Sequence, residues 1–242
     1  ALLSCCCDSS PIAEESQPLP LVGSLLELKV IESPSLDIGK VFMISPNGVE
    51  GSQRSSIDGT IKFGTSFGNN VVLTEEEGLG VIHFSINYDL VEGTYYLRDL
   101  GHGSGTFCRI DRKMKLRSRF ILSFGENHMA VFIDELPDKP SIELKFLEGP
   151  MQGKQFHIST TDPIKIGRSN DCQVLIDSKN LSRVQCIIQH TQPEGWTIQD
   201  GDGTRRSTNW TWLYLDEPFL LAEETVFKAG QTLYMVTPKT PQ

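Results

Sequence analysis

No stretch of this chain stays apolar over the roughly 18–20 residues that cross a bilayer. Leu19–Leu28 comes nearest, and Pro20 and Gly23 break it. No basic segment leads into an apolar core, so a secretory signal is not expected. Basic charge is in deficit: 22 Lys and Arg stand against 31 Asp and Glu, a net −9, which argues against a nucleic-acid surface. The six cysteines make no C-x-x-C pair, and Cys108, Cys172 and Cys186 have no metal-ligand spacing. A reducing, intracellular compartment fits that usage, cytoplasmic or cytoskeletal. His83 and His102 have no carboxylate or cysteine at ligand spacing, so no metal is expected there. Also missing are G-x-S-x-G, H-E-x-x-H, a P-loop, the kinase set and paired carboxylates. The chain reads as non-enzymatic, with no catalytic residue and no cofactor.

What is present is a β rhythm. Short apolar runs recur between Gly, Pro, Asn, Asp and Ser, and no helical periodicity appears, which is the pattern of a β-sandwich. Residues 1–24, with Cys5, Cys6 and Cys7 and then Ser, Pro, Glu and Gln, have the composition of a tail or linker. Acylation of the three cysteines is one membrane reading, and an unmodified tail is the simpler one.

The rhythm occurs twice. Glu27–Glu32 (ELKVIE) reappears as Glu143–Glu148 (ELKFLE), and Gly39–Ile44 (GKVFMI) as Gly153–Ile158 (GKQFHI). Ile61-Lys62-Phe63-Gly64 answers to Ile164-Lys165-Ile166-Gly167, and Val71-Val72-Leu73 to Val174-Leu175-Ile176. Asp99, Thr106-Phe107 and Gly125 answer to Asp200, Thr211-Trp212 and Gly230. The expected organisation is all-β: one sandwich over 25–135, a linker at 136–141 around Leu136-Pro137-Asp138-Lys139-Pro140, a second over 142–237, and a tail at 238–242.

The second copy carries the chemistry. Gly167 lets the backbone turn where a side chain would obstruct. Arg168 then leaves the strand end as a planar fork of donors, and Ser182 offers a hydroxyl one loop later. That pair suits an anionic oxygen cluster, above all a phosphate. Gly167-Arg168, Ser182-Arg183, Trp196–Asp200 and Ser207–Trp212, in this order with strands between them, resemble the forkhead-associated (FHA) domain. The resemblance covers nearly all of 142–237 and, more weakly, 25–135. It implies tandem FHA-type sandwiches, the first degenerate, and loops at one end of the second that bind a phosphothreonine peptide. By the same resemblance Arg168, Ser182 and Thr208 hold the phosphate, Arg183 assists by backbone or side chain, and Asn209 holds the peptide backbone. Gln185 stands where the family has histidine, and an amide can still donate and accept. Trp210 stands where the family has glycine, a costly residue if the turn needs positive φ. Asp200–Ser207 is also four residues longer than Asp99–His102, which adds Arg205 and Arg206.

At the matching positions the first copy has Thr65, Gly80, His102, Gly103 and Ser104. The anion-holding groups are gone, and Glu75-Glu76-Glu77 precedes Gly80, where carboxylates would repel a phosphate. This copy is expected to be a scaffold. The basic segment Arg109–Arg119 reads as a solvated hairpin. Trp196 and Trp212 read as core. The leading expectation is an adaptor that binds a phosphothreonine-containing protein through its second copy. The other is a structural subunit of a large assembly, possibly cytoskeletal or ciliary, that uses both sandwiches for phosphate-independent contacts.

Overall fold

The computed structural model describes residues 25–74, 76–134 and 140–239. All of its regular structure is β. The first half of the chain forms β1 (Leu25–Glu32), β2 (Val41–Ser45), β3 (Gly48–Val49), β4 (Thr60–Gly64), β5 (Val71–Val72) and β6 (Phe84–Asp89). It continues with β7 (Thr94–Asp99), β8 (Thr106–Arg109), β9 (Met114–Lys115), β10 (Ile121–Phe124) and β11 (Asn127–Asp134). The second half forms β12 (Ser141–Glu148), β13 (Gln155–Ser159), β14 (Ile164–Gly167), β15 (Val174–Leu175) and β16 (Cys186–Thr191). It ends with β17 (Gly195–Asp200), β18 (Trp212–Tyr214), β19 (Phe219–Leu220), β20 (Val226–Ala229) and β21 (Thr232–Lys239).

The repeat read in the sequence extends to the bonds. β1 and β12 alternate inward and outward identically, with Leu26, Leu28 and Val30 buried in one and Ile142, Leu144 and Phe146 in the other. The turn after β1 is closed by Gly39 N–H to Val30 O (2.8 Å), and the turn after β12 by Gly153 N–H to Phe146 O (2.9 Å). Both glycines have positive φ, 90° and 82°. Asn70 Oδ1 accepts from Lys62 N, and Gln173 Oε1 from Lys165 N, each at 2.8 Å. Thr106 Oγ1 donates to Asp99 (2.7 Å) as Thr211 Oγ1 donates to Asp200 (2.8 Å).

The two halves do not close on themselves, which the division into 25–135 and 142–237 did not anticipate. Strands β9, β10 and β11 pair with β17, β18 and β12, and β19, β20 and β21 pair with β7, β8 and β1. The closing strands are thus exchanged. One sandwich is made of β1–β8 with β19–β21, and the other of β12–β18 with β9–β11. The frames join where β8 meets β18, in the register Arg109↔Trp212, Cys108↔Leu213 and Phe107↔Tyr214. The result is one 11-stranded sheet with two 5-stranded sheets beside it. In the first sandwich Phe84 of β6 meets Phe227 of β20 (5.5 Å between ring centroids) and Tyr234 of β21 (6.0 Å). In the second, Leu181 packs against the turn at Gly125.

The physical reason is that both hairpins present the same alternation, so either frame can accept either one, and swapping costs little. A few polar contacts distinguish them. Glu76 is buried and accepts from Thr232 Oγ1 (2.7 Å), Gln231 N–H (3.1 Å) and the Ser35 hydroxyl. Glu76 therefore fastens the β20–β21 hairpin to the first frame, where the sequence alone placed it as an anion-repelling surface charge. Two boundaries also shift: Ser141 belongs to β12, and Pro238 and Lys239 belong to β21, with Lys239 paired to Glu27 at 2.9 Å. The expectations for 1–24, for acylation at Cys5, Cys6 and Cys7, for 136–139 and for 240–242 lie outside the described residues.

Candidate functional site

At one end of the second sandwich three loops come together, after β14, before β16 and before β18. Their backbones touch because Gly167 has no side chain: a Cβ there would sit 2.4 Å from Arg183 O. Arg168 N–H donates to Ser182 O (3.2 Å), Ser169 N–H to Arg183 O (3.0 Å), and Gln185 N–H to Ile166 O (2.7 Å). This ladder fixes where Arg168 leaves the sheet. Its Nε donates to Leu181 O at 2.8 Å, which brings the base of the guanidinium beside residue 182. Among the described residues Arg168 enters no ion pair.

Ser182 Oγ accepts from Thr208 N–H (2.9 Å) and lies 3.4 Å from Thr208 Oγ1. Asn209 Nδ2 donates to Asn180 O at 2.8 Å. Arg168, Ser182, Thr208 and Asn209 thus come from three loops into one exposed cluster. Arg183 engages differently: its carbonyl accepts from Ser169 N–H and from the Cys172 thiol (3.3 Å), and its side chain is exposed.

Below the cluster, buried Gln185 does the work expected of a histidine. Its Oε1 accepts from Ser182 N–H (3.2 Å), and its Nε2 donates to Ser207 Oγ (2.8 Å) and Trp210 O (3.0 Å). In the first sandwich His83 Nδ1 accepts from Gly80 N–H (3.1 Å), which makes Nε2 the donor to Gly105 O (3.1 Å). Amide and imidazole span the same two loops with one acceptor and one donor. Asp200 completes the floor, accepting from Ser207 N–H (2.8 Å), Ser207 Oγ (2.7 Å) and Thr211 Oγ1.

Trp210 does take positive φ, 59°, where its counterpart Gly105 has 88°. Such a conformation costs a non-glycine residue about 1–2 kcal/mol. Cations hold the ring in place: the Arg109 guanidinium lies 4.1 Å from its centroid and that of Arg206 5.8 Å, contacts of about 0.5–1 kcal/mol each. Arg109 Nε is also paired to Asp111 Oδ1 (2.7 Å), and Arg206 donates to Asp111 O. Burial pushes the Asp111 carboxyl up, and Arg109 pulls against that shift. The added loop is ordered from within. Asp202 Oδ1 accepts from Thr204 Oγ1 (2.7 Å), Thr204 N–H (2.9 Å) and Arg205 N–H (2.8 Å). These bonds, the Thr204 hydroxyl foremost, hold the carboxyl at about 2. Arg205 and Arg206 are both exposed, and Arg206 is tied to Asp111 O and the Trp210 ring.

Nothing local in the sequence marks Arg109 as a neighbour of this site, because it arrives from the other half of the chain. The segment Arg109–Arg119 is largely solvated, as expected, with Arg112, Lys115, Arg117 and Arg119 exposed. Lys113 pairs with Glu194 (2.5 Å) and Arg117 with Glu217 (3.6 Å), so two of its charges meet carboxylates of the second half. Trp196 is buried, and Trp212 is buried in a separate cluster with Phe107 and Val226. Cys108, Cys172 and Cys186 are free and buried, and burial pushes all three thiols up.

The corresponding end of the first sandwich keeps the ladder and brings its loops into direct backbone contact. Thr65 N–H donates to Gly80 O and Ser66 N–H to Val81 O. The loop at 101–105 then lies directly on the loop at 78–80, with Ser104 N–H on Gly78 O (2.8 Å) and a bridge between Leu79 and Gly103. A Cβ at Gly80 would meet His102 Cβ at 2.5 Å, and one at Gly103 would meet Gly78 O at 2.5 Å. The positions of Arg168, Asn170 and Arg183 are held by Thr65, Phe67 and Val81, and Phe67 is 79% exposed.

Residues 164–233 match the family model of the FHA domain. FHA domains are phosphopeptide-binding interaction modules. The match begins at β14 and ends within β21, so its part from β19 onward lies in the first sandwich of the fold. It does not extend to the first half of the chain. No curated protein matches the sequence.

Proposed function

We propose that this protein is a non-enzymatic adaptor that binds a phosphothreonine-containing partner at the Arg168–Ser182–Thr208–Asn209 end, with the first sandwich as scaffold. The observation that carries the reading is the convergence of Arg168, tethered through Nε at Leu181 O, with the Ser182 hydroxyl and the Thr208 amide and hydroxyl. A phosphate brings about −1.5 to −2 charges and three acceptor oxygens. The Nη groups of Arg168 match two of those oxygens, and the Ser182 and Thr208 hydroxyls can turn to the third. Asn209, placed by Asn180 O, presents an amide to the peptide backbone. Arg183 holds the loops through its carbonyl.

Titration of phosphothreonine peptide libraries against wild type and Arg168→Ala tests this reading. Loss of charge-assisted bonds worth about 1.5–3 kcal/mol should weaken binding by about 10- to 150-fold. Equal binding by both proteins, or equal binding of unphosphorylated peptide, contradicts it. A second reading, phosphate-independent assembly, is favoured by one observation: the closed end of the first sandwich exposes Phe67 and Val81. It expects association with partners to survive phosphatase treatment.

A further inference from the structure

The outer face of the large sheet, where the sandwiches join, is aromatic. Phe107, Trp212 and Val226 form a cluster there, with Trp210 and Tyr214 packed at its side. Lys228 of β20 lies across this cluster. Its ammonium is 4.7 Å from the Phe107 ring centroid and 5.0 Å from that of Trp212. It is half-buried, and desolvation lowers its pKa. Among the described residues it enters no ion pair. A cation partly withdrawn from water against ring faces and outside any ion pair still has charge to offer an anion.

Lys228 borders a depression of about 310 Å³ that is also lined by Ser123, Glu126, Asn180, Asn209 and Trp212. Two of those residues belong to the site above, since Asn209 follows Thr208 and its amide rests on Asn180 O. The depression thus continues the phosphate-facing loops across the sheet. We propose that it is a second anion subsite, in which Lys228 receives a carboxylate or a second phosphate on the same ligand that places its phosphothreonine at Arg168 and Ser182. This rests on the phosphothreonine reading and extends it to a ligand class, a doubly anionic peptide.

The exchange of strands builds the subsite. Aligned on Gly125 and Gly230, Ser123 and Lys228 hold the same hairpin position. The hairpin that completes the second sandwich sets Ser123 beside Trp212, while the cation comes from β20 of the first, across β8. Glu126, exposed on the rim, is the opposing charge and limits the gain.

The test uses the full chain and three sets of labelled peptides read by fluorescence anisotropy. One set carries a phosphothreonine between neutral flanks. A second adds one glutamate, and a third one phosphoserine, each walked position by position. Wild type should gain about tenfold at one or two positions, from both added groups if the subsite reads charge, and from phosphoserine alone if it needs a phosphate. Lys228→Met should bind the singly and doubly anionic peptides alike. A full gain in Lys228→Met, or no gain at any position in wild type, overturns the subsite and leaves the phosphothreonine site standing. A wild type that binds no phosphopeptide removes both. Should Lys228→Met fail to fold, Glu126→Gln decides: a gain a few-fold larger than in wild type supports the subsite, and an unchanged gain overturns it.

Discussion

The two loop ends share a backbone and differ in what they leave open. After β4 and after β14 the chain turns at a glycine, runs the same ladder to the next loop and is braced from beneath, by His83 in one and Gln185 in the other. At the second end the Ser182 side chain separates the loops and accepts from the Thr208 amide. At the first, Gly80 and Gly103 allow the loops to collapse onto each other, with Leu79 bridged to Gly103. The lesson is that a binding end can be lost by closure as well as by loss of its donors. The bracing that supports an anion site also holds the closed end.

The strongest way to break the comparison is to graft one end onto the other. Thr65→Arg with Gly80→Ser supplies the missing side chains, yet the serine Cβ would stand 2.5 Å from His102 Cβ. Overpacking of this kind costs about 1–3 kcal/mol. The double variant should unfold at lower denaturant and gain no phosphopeptide binding. A graft that bound phosphopeptide at wild-type stability would show that the first end is merely unarmed.

A comparable effect is expected at the brace. Gln185→Ala leaves Ser182 N–H and Trp210 O without their partner in a buried setting, at about 1–3 kcal/mol. Gln185→His should restore most of that, because imidazole makes the corresponding bonds in the first sandwich. Chemical denaturation of the three proteins checks both statements.

The smallest effect is one of pH. Burial holds His83 below its ordinary 6.5, so the unfolded chain takes up a proton that the folded chain refuses. Stability is therefore complete above 6.5 and declines as the pH falls from there toward the depressed folded value. His128, lowered by burial, acts in the same direction. His83→Gln should flatten this decline by the His83 share, because the amide does not titrate. Midpoints of thermal unfolding at a series of mildly acidic pH values would show it, and an undiminished slope would place the proton elsewhere.

Much of this was legible in residue order. The matching runs at 27–32 and 143–148 became strands with the same buried face, and Asp99 with Thr106 and Asp200 with Thr211 became the same hydrogen bond. Arg168, Ser182, Thr208 and Asn209 fell on adjoining loops because glycine, serine and strand spacing fix the ladder locally. The exchange of hairpins was not legible. Alternation sets which face of β10–β11 or β20–β21 is buried, not which frame receives it. For the same reason Arg109 gave no sign of its place on Trp210, nor Lys228 of its place beside Asn209. Glu76 misled because three consecutive carboxylates look solvated, while one of them is buried under the Ser35 and Thr232 hydroxyls. Trp210 shows a family glycine replaced where stacked guanidinium groups offset the backbone cost.

Titration of the full chain with a phosphothreonine peptide, followed by amide chemical shifts, tests the asymmetry most directly. Shifts are expected at Arg168, Ser182, Thr208 and Asn209, none at Thr65, Gly80 or Gly103, and none anywhere with the unphosphorylated peptide. Shifts centred on the loops of the first sandwich, or the same shifts without the phosphate, would contradict it.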